Sequence, residues 1–326
     1  ASHACGLTPD NKGLCWGTNE AGQTDVPLWV EPTDPDTLVP EPEPESQPVI
    51  LGVGSVDGDD DEFVISLSLQ GEVDVEINWG DGTSEFVRAA GDVEHTYPAG
   101  NYRVTIHGFL TEFHGVSRGF EHVLSCTSLG NLWITSLHSA FAGLRNLSEV
   151  PEQIPNTLRD VSELFRYASQ DFDLSAWDMS AVTNMSGMFQ EASGAFNLSN
   201  WDTGRVVDMS EMFRENVLFN EDISGWNVSH VRDMSGLFWG ATAFNQNIGL
   251  WNVSNVNDMS LMFHDAASFN QDIGGWNTGN VTNMSGMFRD SSRFMNTVIL
   301  DQDISDWDVS SVTDMSQMFR NNDVFN

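Results

Sequence analysis

The chain has 326 residues, which is enough for two or three domains. It has 48 acidic and 13 basic side chains, for a formal net charge of −35, and such a surface repels nucleic acids and anionic membranes. No apolar run reaches the roughly 18 residues that a membrane-spanning helix needs. We therefore expect no nucleic-acid partner and no membrane insertion within this chain.

The first segment, residues 1–27, contains the pattern Cys-Gly-Leu…Cys-Trp-Gly-x-Asn-x-x-Gly-Gln. Cys5 and Cys15 lie ten residues apart in it, and a disulfide between them fits a secreted protein. The pattern resembles one repeat of the regulator-of-chromosome-condensation type of β-propeller. A propeller needs several blades to close, so we expect a propeller-type repeat fragment or a hairpin stapled by this disulfide. The third cysteine, Cys126, is expected to be a buried free thiol.

A spacer is expected next. Residues 27–48 hold seven of the eleven prolines, with the run Pro-Glu-Pro-Glu-Pro-Glu at 40–45. Proline favours an extended backbone, and neighbouring carboxylates repel one another. The composition therefore predicts a stiff, solvated, Pro/Glu-rich linker over residues 28–48.

Residues 49–112 have the alternating pattern of a small all-β domain, most clearly in Phe63–Leu69, Val73–Trp79 and Tyr102–Ile106. The stretches Trp79-Gly-Asp-Gly-Thr-Ser and His95-Thr-Tyr-Pro-Ala-Gly-Asn-Tyr resemble the polycystic-kidney-disease (PKD) domain. The resemblance implies an immunoglobulin-like β-sandwich that serves as a spacer or as a contact to carbohydrate or protein, without a catalytic role.

A cluster of acidic residues near the start of this domain is a candidate metal site, because calcium takes oxygen ligands. Its residues are Asp57, Asp59, Asp60 and Asp61. The spacing differs from that of the helix-loop-helix calcium loop. A solvated acidic turn is the alternative interpretation, and Ca²⁺ is the one cofactor that the sequence suggests.

From about Phe141 onward the chain repeats itself with a period of about 25 residues. The repeated tryptophans are 24, 25, 25, 25 and 31 residues apart, and the last gap is long because of an insertion at 294–300: Trp177, Trp201, Trp226, Trp251, Trp276 and Trp307. One unit cannot bury its apolar positions alone, so the units must stack as a solenoid. Residues 113–160 are expected to form the degenerate entry or cap.

Within each unit, Val-x-(Asp/Asn)-Met alternates like a short strand. The following Ser is expected to cap one turn of helix that brings Met and Phe into the core. The Asp-Ile-Ser-x-Trp-Asn-Val-Ser part is too rich in Asn, Ser and Gly for a helix, and we expect it to be extended and turning.

The unit Phe-Asn-Gln-Asp-Ile-Gly-Gly-Trp-Asn-Thr-Gly-Asn-Val-Thr-Asn-Met-Ser-Gly-Met-Phe at 269–288 resembles the BspA-like bacterial surface protein repeat, a leucine-rich-like repeat of about 26 residues. The resemblance covers roughly 155–326. It implies a cell-surface or secreted protein, a right-handed leucine-rich-repeat-like solenoid over 113–326, and adhesion or ligand binding. The predicted fold is thus multidomain, an immunoglobulin-like β-sandwich followed by a solenoid of about 25-residue coils.

Two rows of side chains recur once per unit and would line up about 5 Å apart in stacked coils. The residue after Met-Phe or Leu-Phe forms the first row: Arg166, Gln190, Arg214, Trp239, His264, Arg289 and Arg320. We interpret its arginines, His264 and Trp239 as a candidate strip for acidic or glycan ligands, with Trp239 as a stacking platform. The alternative is charge balance with the acids that follow: Glu191, Glu215, Asp265 and Asp290.

The second row precedes Met-Ser or Met-Ser-like turns: Asn184, Asp208, Asp233, Asp258, Asn283 and Asp314. A row of carboxylates can bind calcium. Alternatively, each side chain caps its own turn or accepts hydrogen bonds from neighbouring backbone.

We conclude from the sequence that this is a non-enzymatic, secreted or cell-surface protein whose partner is an extracellular protein or glycan. The first alternative is a structural subunit that binds copies of itself and assembles into a filament or sheath through its domain ends. The second is a glycan hydrolase, for which the sequence gives no way to select one carboxylate pair among 48 acids.

Overall fold

The computed structural model describes residues 47–56, 61–289 and 302–322 in full, together with the backbone of two short strands near the start. The chain divides into two compact units, 1–45 and 46–326. In the first unit, β1 (His3–Leu7) pairs antiparallel with β2 (Gly13–Gly17), and Cys5 lies opposite Cys15 in the register. The side chains that would form the predicted disulfide lie outside the described residues. Nearly all of the predicted linker also lies outside them, and so do Asp57, Asp59 and Asp60.

The second unit begins with a six-stranded antiparallel sheet. Its strands are β3 (Val49–Gly54), β4 (Glu62–Asn78), β5 (Ser84–Val87), β6 (Gly91–Pro98), β7 (Asn101–Arg118) and β8 (Val123–Leu129), with a 3-10 helix at Phe120–His122. The order is β5-β4-β7-β3-β8, and β6 also pairs with β4. Register shifts in the β4–β7 pairing allow these long strands to bend. The two-sheet, immunoglobulin-like arrangement stays a prediction.

The core of this sheet follows from the alternation in its sequence. Phe63, Ile65, Leu67 and Leu69 of β4 are at most 3% exposed. Cys126 on β8 is a buried free thiol, as predicted, and burial raises its pKa to about 12.

Strand β7 of the sheet pairs with the first coil of the repeats. The predicted domain boundary after residue 112 falls inside this strand. Glu112 forms a parallel bridge with Ser136, and one such bridge joins every following pair of coils, through the ladder Glu112, Ser136, Asp160, Asn184, Asp208, Asp233, Asp258, Asn283 and Asp314. The bridged residues are one sequence period apart, so equivalent residues of successive coils lie beside each other.

Stacked phenylalanines form the centre of the coils. From Phe141 to Phe319, ring centroids of successive coils are 5.6–5.8 Å apart. Short strands β9 (Phe172–Asp173) and β10 (Phe196–Asn197) pair in parallel beside them. The buried residues of the sheet and of the coils form one continuous hydrophobic cluster. Membership of the leucine-rich-repeat class stays a prediction.

The expected turn of helix after Met-Ser is wrong for the described coils. The third residue of Met-Ser-x-Met-Phe has a left-handed backbone, with φ of 54° at Glu211 and 61° at Gly236. Successive backbone amides point in alternate directions. Met212 N–H donates to Met209 O within the coil, whereas Glu211 N–H and Phe213 N–H donate to carbonyl oxygens of the next coil. A helix would use every amide within its own coil, so the inter-coil bonds determine this conformation.

The only helix within the described ranges is the three-residue 3-10 segment at Phe120–His122. No helix in that part of the chain is long and apolar enough to cross a membrane.

Candidate functional site

The residues after Met-Phe lie in one row across the coils. We call this row the strip; it consists of Arg166, Gln190, Arg214, Trp239, His264, Arg289 and Arg320. The carbonyl of each strip residue from Gln190 to Arg289 accepts a hydrogen bond from the preceding coil, as in Glu191 N–H to Arg214 O at 2.7 Å. The backbone therefore holds the strip in register, because these bonds fix each coil against the next.

Two strip arginines form ion pairs within their own turns. Arg166 Nη1 donates to Glu163 Oε2 at 2.8 Å, and Arg214 Nη1 donates to Glu211 Oε2 at 2.9 Å. The left-handed turn brings the residue three positions earlier beside the arginine. The charge-balance interpretation expected Glu215 beside Arg214, which pairs with Glu211 instead. It also expected Asp265 beside His264, and Nδ1 of His264 lies 3.7 Å from Oδ1 of Asp265. Both arginine side chains remain 29% exposed, so these pairs stabilise the fold by less than about 1 kcal/mol each.

Trp239 contacts strip residues of both neighbouring coils. The Arg214 Cζ atom lies 3.9 Å from the centroid of the Trp239 ring, and the His264 ring centroid lies 5.2 Å from that of Trp239. These neighbours come from the preceding and the following coil. The Arg214 guanidinium occupies one face of the ring that the sequence predicts to be a stacking platform, and the His264 ring lies beside it at a tilt of 40°.

Two strip members are too buried to meet a ligand. Gln190 is 5% and His264 is 6% exposed, and His264 Nδ1 lies 2.6 Å from Arg289 O. The carbonyl can only accept, so Nδ1 donates the proton. The accessible cations of the strip are therefore Arg166, Arg214, Arg289 and Arg320.

The Asp/Asn row forms the bridge ladder itself. From Asp160 to Asp314, each Oδ1 accepts a hydrogen bond from the backbone N–H two residues later, at 2.7–3.0 Å. This confirms the interpretation that the row bonds neighbouring backbone. Burial, together with the adjacent carboxylates of Asp208 and Asp258, raises the pKa of Asp233. Hydrogen bonds from Ser316 lower the pKa of Asp314.

The described residues show no arrangement of side chains that matches the predicted calcium sites. Within 47–56, 61–289 and 302–322, no group of three or more His, Cys, Asp or Glu side chains is placed to hold a metal ion. Asp61, the one described member of the predicted acidic cluster, is exposed.

Sequence reasoning missed two further rows of the same turn. Each Oδ1 in these rows accepts from the backbone N–H two residues later, at 2.9–3.4 Å. The sequence contains this signal as the recurring pattern Asx-x-(Ser/Gly). The first row is Asp173, Asn197, Asp222, Asn247, Asp272 and Asp303. The second row is Asp178, Asp202, Asn227, Asn252, Asn277 and Asp308. Many of the acids of the coils therefore shape turns.

A groove of about 620 Å³ was also missed, because its residues are far apart in sequence. It lies where β7 and the 3-10 helix meet the first coils, and it is lined by His114, Phe120, Glu121, Ser139, Arg145 and Tyr167 among others. Pattern reasoning within one unit cannot find a site built from the sheet and two coils.

Comparison with protein families gives one match. A family model described as "Mycoplasma protein of unknown function, DUF285" matches residues 159–260 and, overlapping them, 219–326. The two ranges together span slightly more than half of the chain. Searches of curated proteins and of solved structures gave no match.

Proposed function

We propose that this chain, which belongs to the family described as "Mycoplasma protein of unknown function, DUF285", is a non-enzymatic binding protein of the cell surface or the extracellular space. It binds an acidic extracellular protein or glycan through the strip. The surface location and the adhesive role come from the resemblance of the units to BspA-like repeats, and that finer relationship is part of the proposal.

The observation that supports this function most directly is the regular presentation of arginines on a very acidic chain. Glu163 and Glu211 hold the guanidinium groups of Arg166 and Arg214 in fixed positions. Guanidinium groups bind carboxylates and related anions with two parallel hydrogen bonds. Because the ion pairs are partly exposed, an anionic group of a ligand can approach the same guanidinium from the solvent side.

The spacing of the strip favours a ligand with repeated charges. Successive coils are about 5 Å apart, so Arg166 and Arg214, two coils apart, present cations about 10 Å from each other. Single exposed contacts are weak, but several contacts to one polymer add through a high effective concentration. At physiological salt, charges beyond about 8 Å are largely screened, so acids elsewhere on the chain oppose an anionic ligand less than the paired Glu163 and Glu211 do.

The test compares two double variants with the same net charge. Arg166→Ala/Arg214→Ala removes two strip cations, and Arg205→Ala/Arg232→Ala removes two exposed arginines outside the strip. Binding of the full chain to immobilised heparin, polygalacturonate and extracellular-matrix proteins is measured by surface plasmon resonance, with and without calcium. We expect the strip variant to lose at least tenfold in affinity and the control less than twofold.

Equal losses for both variants would mean a general charge effect and would overturn the strip as the site. Light scattering and negative-stain microscopy of the same preparations test the alternative function. Dispersed monomers that bind a probe support the proposal, whereas polymers without affinity for any probe support a structural subunit that assembles with itself.

A further inference from the structure

We propose that the groove between the sheet and the first coils is a binding site for a neutral sugar ring of a glycan. The site adjoins Arg166 at one end of the strip, but it does not depend on the function proposed for the strip. Its volume of about 620 Å³ lies within the range of roughly 300–1,000 Å³ that is typical of small-molecule sites.

The groove exists because the first coil has two small residues, Ala142 and Gly143, where most later coils have larger ones. Phe141–Ala142–Gly143 of the first coil is equivalent to Phe238–Trp239–Gly240. Where a later coil has an indole, the first coil has a methyl group. Gly143 has a left-handed backbone, and a Cβ added there would meet no atom within 4 Å. Space that later coils fill with side chains is therefore open here.

Two exposed aromatic rings line this space. Phe120 is 40% exposed and Tyr167 is 43% exposed, whereas the core aromatic rings of the coils are almost fully buried. The guanidinium Cζ of Arg166 lies 4.7 Å from the centroid of the Tyr167 ring, so it covers one face of that ring. The other face is left for a ligand. Aromatic faces are electron-rich and apolar, and they suit the C–H face of a pyranose.

The backbone conformation of Tyr167 is imposed by the coil. Its φ of 63° is left-handed, as at the equivalent positions Gly143, Glu191 and Gly240 of other coils. A bulky residue with positive φ is disfavoured, so the stacking of the coils, and not local preference, determines this conformation. The inter-coil hydrogen bond from Tyr167 N–H to Gln190 O at 3.0 Å fixes this backbone, which places the ring at the groove.

Polar groups surround the aromatic rings. Arg145 is exposed, and its guanidinium makes no ion pair within the described ranges. Glu121 is exposed and can accept from hydroxyls, and the Ser139 hydroxyl can donate or accept. Burial, assisted by the neighbouring His138, lowers the pKa of His114, so at neutral pH its ring is uncharged. Donors and acceptors are thus both available.

The charge balance of the lining determines the class of ligand. Arg145 and Glu121 supply one positive and one negative charge, and the remaining lining groups are neutral at pH 7. Such a lining favours neither an anion nor a cation. A neutral pyranose has an apolar face for the rings and hydroxyl groups for the charged and polar side chains, so it matches both parts of the groove.

The experiment titrates the full chain with neutral oligosaccharides and one acidic control. Maltotriose, mannotriose, lactose and triacetylchitotriose are the neutral probes, and trigalacturonate is the acidic probe, each followed by isothermal titration calorimetry. We expect saturable binding of at least one neutral probe with a Kd below about 10 mM. Tyr167→Ala should weaken it at least tenfold, and Tyr167→Phe, which keeps the ring, less than threefold.

A filling variant gives a test that does not rely on removing a ring. Ala142→Trp recreates the Phe-Trp-Gly sequence found at 238–240, and circular dichroism checks its fold. It should abolish binding, whereas Phe86→Ala, which removes an exposed ring that does not line the groove, should leave binding unchanged. The proposal is overturned if no neutral probe binds, if only the acidic probe binds, or if Ala142→Trp binds as well as the unaltered chain.

Discussion

The guanidinium Cζ of Arg214 lies 3.9 Å from the centroid of the Trp239 ring, one coil further along the chain. This contact joins two coils on the outside of the stack, whereas Phe213 and Phe238, the residues just before them, join the same coils on the inside with ring centroids 5.8 Å apart. The stack is therefore held by one ladder in the core and by another along the strip.

The outer contact should have a measurable coupling energy. In a double-mutant cycle of Arg214→Ala and Trp239→Ala, we expect a coupling of about 0.5–1 kcal/mol, measured by urea unfolding. The cycle is needed because Arg214→Ala also removes the ion pair with Glu211. The control cycle combines Trp239→Ala with Arg205→Ala, an exposed arginine outside the strip, and should be additive within about 0.3 kcal/mol. Equal couplings in the two cycles would contradict a specific Arg214–Trp239 contact.

The inner ladder should contribute far more to stability. Phe238 is fully buried and contacts the rings of Phe213, Phe244 and Phe263. We expect Phe238→Ala to lower the free energy of unfolding by about 3–5 kcal/mol, because it removes apolar contacts and leaves a cavity. Phe86→Ala is the control, since Phe86 is 65% exposed, and it should change stability by less than about 0.5 kcal/mol. A small effect of Phe238→Ala would mean that the coils can collapse onto the cavity.

The bridge ladder predicts a pH-dependent effect at Asp233. Its pKa is raised above the ordinary value of 3.8 by burial and by Asp208 and Asp258, so the charged form is less favourable in the folded chain than in the unfolded chain. The folded state therefore loses stability as the pH rises through the raised pKa. Asp233→Asn, which keeps the Oδ1 acceptor as Asn184 and Asn283 do, should stabilise the chain at pH 7.

We expect this gain to be a few tenths of a kcal/mol, the size of like-charge effects across neighbouring strands, and to vanish as the pH falls below about 3.8. Unfolding is measured between pH 3 and pH 7. Asp178→Asn is the control with the opposite sign, because hydrogen bonds from Ser180 lower the pKa of Asp178. A gain at Asp233 that is the same at every pH would show that charge is not its cause.

The junction between sheet and coils should be intolerant of a side chain at Gly115. Its φ is 76°, and a Cβ there would overlap the backbone carbonyl of Ala140. Gly143 has a similar φ of 69° but open space around it. We expect Gly143→Ala to cost about 1 kcal/mol for the left-handed backbone alone. Gly115→Ala should cost about 2 kcal/mol more, because overpacking adds to the backbone cost. Thermal and urea unfolding compare the two, and equal losses would contradict a steric role for Gly115.

The sequence by itself determined the period and the register of the coils. Because Asp208, Asp233 and Asp258 recur at one interval, they meet in one ladder, and the expectation that they bond neighbouring backbone is confirmed. The burial of Cys126 also followed from residue type alone. These features depend on spacing and on the chemistry of single residues, which a sequence displays directly.

Only the tertiary structure decided the local conformation of the turns and the composition of the candidate sites. Glu211 and Leu261 have left-handed backbones although neither residue favours one, because hydrogen bonds to the next coil outweigh local preference. The pairing of Arg214 with Glu211, the covering of Trp239 and the groove beside Tyr167 all follow from that conformation. Each depends on atoms of neighbouring coils or of the sheet, whose positions are fixed only when the coils stack.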